Sequence, residues 1–170
     1  MAYTKSVIPW RYLSKVTLYT LFLLLLQSFW VSHFSRPELR IDLLLPLMFG
    51  AAVEWPPFLS IIWASLWGFV ADTLSGKFWG FHVGSYVVAI CLVNITAERF
   101  EFHNPLYQML FVGACALGQS VALGLFLIVE APEQMAMPAT YTTLLLRSVA
   151  TMILAPIITY PVWNIRGSNL

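Results

Sequence analysis

The 170-residue sequence predicts an all-α integral membrane protein of six transmembrane helices, the second of them short or kinked. Three observations predict it. Only 10% of the residues are charged, where a soluble domain carries about 25%. Hydrophobic residues make up 59% of the chain and its mean hydropathy is +0.78. The apolar residues gather into six runs, joined by connections of which the longest, 130–141, is twelve residues. These features exclude a soluble enzyme and a disordered tail protein. A net charge of +1 offers no basic face to nucleic acid. With no room for an extramembrane domain, 1–170 reads as one polytopic membrane domain.

A membrane helix needs about 20 mostly apolar residues to cross a core of about 30 Å. The first run, 16–34, meets this, behind Lys5, Arg11 and Lys15. It exceeds a signal-peptide core and ends without a small-x-small cleavage site, so it reads as a retained helix. The second run, 41–55, is weaker: its apolar part gives about 20 Å of helix and contains Pro46. It reaches across only if Arg36, Glu38 and Arg40 snorkel; a shortened, kinked or partly re-entrant segment covered by protein is the other possibility. Pro56-Pro57 then forces a turn. Runs 58–74, 78–97, 105–129 and 142–163 complete the set.

Orientation follows from Lys and Arg in the short connections. With the N-terminus inside, Lys5, Arg11, Lys15, Arg99 and Arg166 lie inside, and Arg36, Arg40 and Lys77 outside. Both termini are therefore expected in the cytoplasm.

Of nine basic and eight acidic residues, only Asp42, Glu54, Asp72 and Arg147 fall within the runs. A charge at depth costs about 2.5–3.5 kcal/mol on insertion scales, so each needs a partner or an interfacial position. Asp42, Asp72 and Arg147 share the outer half. Arg147 is expected to pair with Asp72 or Asp42, or else to snorkel alone. Gly76, Gly80 and Gly84 recur every four residues, a spacing that lets another backbone approach closely, within the chain or from a separate helix. Ser75-Gly76 reads as the tight turn between the third and fourth spans. Ala114, Gly118 and Ala122 form a second small-residue ridge, with Ser120 and Gly124 on an adjacent face, expected to pack helix on helix. Trp63 and Trp67, one turn apart, are expected to face lipid or pack between helices.

Catalytic readings find little support. His33, His82 and His103 form no metal-binding pattern. Ser75-Gly76, with His82 nearby, has Thr73 where an intramembrane serine protease needs glycine. Val70-Ala71 before Asp72 lacks the glycines of intramembrane aspartyl proteases. Cys91 and Cys115 specify no disulfide or metal site and read as thiols packed between helices. No enzyme activity, cofactor or metal is expected.

The stretch 36–92 resembles the bacterial rod shape-determining MreD family. Arg36-Pro37 opens the second span, Gly68-Phe69 and Asp72 lie on the third, and Ser75-Gly76, Gly80 and Tyr86 follow at the family spacing. The resemblance implies a six-helix protein of the bacterial inner membrane, similar in fold to the substrate-binding subunits of energy-coupling-factor transporters. It further implies a non-catalytic scaffold working with the bitopic protein MreC, the MreB filament, RodA and a class B penicillin-binding protein in lateral peptidoglycan synthesis. Membrane lipid is the only other expected contact, and Asp72–Gly84 and Arg36–Asp42 are the first candidate partner faces. A small-ligand-binding subunit of a transporter is the alternative.

Overall fold

A computed structural model describes residues 10–33, 41–75, 79–97, 100, 102, 104–130 and 138–167. The described secondary structure is helical throughout: α1 (Trp10–His33), α2 (Leu44–Glu54), α3 (Pro57–Ser75), α4 (Phe81–Thr96), α5 (Pro105–Glu130) and α6 (Pro138–Gly167). Three of the six open on proline, whose fixed φ suits the first helical position and whose missing N–H is one that position leaves unpaired anyway. Helices α1, α3, α5 and α6 are long and apolar enough to cross a membrane. The other two are shorter. At 1.5 Å per residue, the 11 residues of α2 and the 16 of α4 extend about 16 and 24 Å, short of a core of about 30 Å.

Three packed pairs, α1 with α6, α5 with α6 and α2 with α5, run antiparallel, as their cross-contacts show. Tyr12 and Tyr19 of α1 donate to the carbonyls of Val162 and Ile158 of α6. On α5 and α6, Gln108 meets Thr159 while Ser120 meets Ser148. Against α2, α5 places Phe111 beside Phe49 and Gln119 beside Asp42. In each pair the number rises on one helix as it falls on the other. The start of α1 therefore lies beside the end of α6, on one face of the bundle.

Helix α2 is the hub, touching all five others. Nine of its residues, from Leu44 to Ala52, are buried, so the weakest apolar run forms the centre of the core. A short segment is tolerated because neighbours cover it on every side. Pro46 lies in its first turn, before a proline ring could meet a helical carbonyl four residues back, so it need not break the helix. At the far end Trp55 contacts Tyr12 and Trp63, and Trp63 contacts Trp67. The two α3 tryptophans thus pack between helices. Helix α1 stands at the margin, resting mainly on α2 and α6.

Helix α4 starts at Phe81, behind Gly80, which adopts φ +87 as its N-cap. Several expectations are corrected. The ridge of Ala114, Gly118 and Ala122 faces outward, and a Cβ on Gly118 would meet nothing within 4 Å. The adjacent face is the one that packs on α6: a Cβ on Gly113 would lie 3.1 Å from Met152, and Ser120 bonds Ser148 at 2.9 Å. Cys91 is exposed and not packed between helices, whereas Cys115 is half-buried.

Candidate functional site

Two aspartates, each almost fully buried, organise one end of the bundle. Asp42 precedes α2, and its Oδ1 accepts the backbone N–H groups of Leu44 and Leu45 at 3.1 and 3.3 Å. The first amides of a helix have no intrahelical acceptor, and a carboxylate there also meets the positive end of the helix dipole. Two further donors come from distant helices. Tyr86 of α4 donates its hydroxyl to Asp42 at 2.9 Å, and Gln119 of α5 donates Nε2 at 3.0 Å. One carboxylate thus ties α2 to α4 and α5.

Asp72 does the same for α4, from the end of α3. Its Oδ2 accepts from the Gly80 N–H at 3.0 Å and the Val83 N–H at 3.4 Å; its Oδ1 accepts from the His82 N–H at 2.9 Å. The His82 ring adds Nδ1 at 2.8 Å from Oδ1, the side chain being 15% exposed. With a carboxylate as acceptor, the ring proton lies on Nδ1. Gly68, one turn earlier on α3, makes this approach possible: a Cβ there would lie 2.8 Å from Val83 Cα. The His82 and Tyr86 rings meet edge-on at 5.9 Å. The Asp72–His82 cluster and the Asp42–Tyr86–Gln119 cluster therefore touch through these two rings.

The sequence-derived candidates divide accordingly. Asp42, Asp72, Gly68 and Gly80 converge on this network. Gly84 does not: it faces outward, where a Cβ would meet nothing within 4 Å. The expected seam at Gly80 and Gly84 is thus not closed from within the chain; the close approach occurs at Gly68. Arg36, Pro37 and Gly76 lie outside the described residues, as does the side chain of Ser75. The expected pairing of Arg147 with Asp72 or Asp42 is not formed, since the donors already described occupy both carboxylates. Arg147 is half-buried on α6, near enough for its charge to act at the Tyr86 hydroxyl. Glu54 closes α2 at its opposite end.

Sequence reasoning missed Gln119 and the structural part played by His82. A signal existed for Gln119: an amide inside a long apolar run needs a partner just as a charge does. The arrangement binds helices to one another. Both carboxylates accept from N–H and O–H groups of the chain itself, and no described group of three His, Cys, Asp or Glu residues could hold a metal. Compared with family models, curated proteins and solved structures, the chain gives no match in any of the three.

Proposed function

We propose that this chain is a non-catalytic scaffold of the MreD type, a six-span protein of the bacterial inner membrane with both termini in the cytoplasm. It grips an MreC-like bitopic protein by its membrane helix and places that partner for lateral peptidoglycan synthesis. A RodA-type synthase, a class B penicillin-binding protein and MreB would act in the same assembly. The sequence resemblance over 36–92 motivates the assignment. The observation that carries the mechanism is the outward face of α4. Gly84 leaves a notch there, and exposed Val88, Leu92 and Ile95 continue the face away from the core. In lipid, where apolar burial gives helices no net drive to associate, close backbone approach at small residues supplies the contact.

Co-purification tests this reading directly. Gly84→Leu fills the notch without touching the core, so the variant keeps its thermal stability in detergent. It is expected to lose most of the MreC-like partner that the unmodified chain retains. Full retention by the folded variant would overturn the reading. A small molecule held stoichiometrically by the purified chain, with no single-span partner, would instead establish the transporter-subunit alternative.

A further inference from the structure

Helix α4 carries its polar anchors and its exposed surface on opposite sides. His82 and Tyr86 stand four residues apart, so they share a face. The His82 ring meets Asp72 Oδ1 at 2.8 Å, and the Tyr86 hydroxyl donates to Asp42 at 2.9 Å. Ala89, Ile90 and Val93 continue that buried side. At 3.6 residues per turn, a residue two places from an anchor stands about 160° away, which sets Gly84 opposite both. Exposed Cys91 and Ile95 follow Gly84 on its own side.

Apolar burial is a poor guide to the rotation of such a helix. In water an amphipathic helix turns its apolar side inward, but lipid tails are as apolar as the bundle and give little preference. Helix α4 is apolar on both sides: Ile90 and Val93 are buried, Val88 and Ile95 exposed. Polar groups do discriminate, because a donor or acceptor at depth has no solvent to turn to. The amides that Asp72 caps point along the axis and hold the start of α4. The His82 and Tyr86 side chains leave the helix sideways, and their acceptors come from different elements, Asp72 from α3 and Asp42 from just ahead of α2. Gly68 sets another variable, how closely α3 and α4 approach.

We propose that His82 and Tyr86 are positioning residues that fix the rotation of α4 and so present the Gly84 face outward. The two buried carboxylates thereby govern a surface that they do not touch. That a partner helix docks on this face rests on the scaffold reading; the rotation itself does not.

A nitroxide on Cys91, in the full chain with Cys115→Ala and in phosphatidylcholine vesicles, reads the rotation. Oxygen dissolved in the hydrocarbon collides freely with a label that faces lipid. With the label moved by Ala89→Cys and Cys91→Ala, collision is expected to fall severalfold. Equal collision at the two positions overturns the proposal before any anchor is altered. His82→Leu and Tyr86→Phe leave each carboxylate its other donors, so the chain is expected to fold. Each should lower collision at Cys91 severalfold, and His82→Asn, whose amide N–H stands near the place of Nδ1, should restore it. Unchanged collision in both folded variants overturns the proposal. Thr159→Val removes a buried hydrogen bond from α6 to Gln108 and should lower stability without moving the label. An equal change at Cys91 would trace the effect to lost stability, and it overturns the proposal as well. Co-purification separates the two readings. Tyr86→Phe should weaken retention of an MreC-like partner by up to about tenfold, the worth of one hydrogen bond to a charged group. Full retention by Gly84→Leu overturns the docking reading alone, because the label on Cys91 needs no partner.

Discussion

A Cβ on Gly68 would lie 2.8 Å from Val83 Cα and 2.9 Å from its backbone nitrogen, atoms that cannot yield without separating α3 from α4. On Gly84 it would meet nothing. Gly68→Ala is therefore expected to destabilise the protein by about 1–3 kcal/mol, the usual cost of overpacking. Gly84→Ala should be neutral or stabilising by up to about 1 kcal/mol, since alanine favours helix over glycine. Thermal unfolding of the two purified variants checks the contrast, and equal destabilisation would contradict the assigned packing. Both glycines stand out in the sequence, but spacing alone cannot assign their faces. The same limit held for the aspartates. A carboxylate in an apolar run announces that it needs partners. It does not say that they will be Tyr86 and Gln119, 44 and 77 residues away.

At the scale of elements, both short helices start from a carboxylate. Asp42 caps α2 from just ahead of it in the chain, whereas Asp72 caps α4 from the preceding helix, eight to eleven residues earlier. Asp72→Ala removes an acceptor shared by three backbone amides and a histidine ring. A loss of about 2 kcal/mol or more is expected from the missing cap and the unpaired buried donors. Asp72→Asn should recover part of it, because the amide oxygen still accepts. Hydrogen exchange is expected to rise first at Gly80, His82 and Val83, and unchanged protection there would contradict the cap. The helical runs were legible from hydropathy. The boundary at Phe81 was not, because it depends on a left-handed glycine and on an acceptor supplied by another helix.

At the scale of the molecule, the start of α1 lies beside the end of α6, joined through Tyr12 and Val162. Reporters fused to the two ends are therefore expected on the same side of the membrane. Reporters on opposite sides would show that one of the short helices, α2 or α4, does not return the chain. The second run is marginal only as a helix that crosses lipid by itself; the protein-covered segment the sequence also allows needs no such length. In the bundle it meets protein on every side, and its length is set by what surrounds it.

The sequence by itself determined the solvent: too few charges for a wetted surface, and apolar runs that water would not tolerate. It also marked Asp42, Glu54, Asp72 and Arg147 as the charges in need of explanation. Tertiary structure alone decided that Asp42 would be satisfied by Tyr86 and Gln119 and Asp72 by the backbone and ring of His82. The physical reason is that hydropathy is a sum over neighbours in the chain, whereas a hydrogen bond selects one partner by position and angle. That position exists only once the helices have packed.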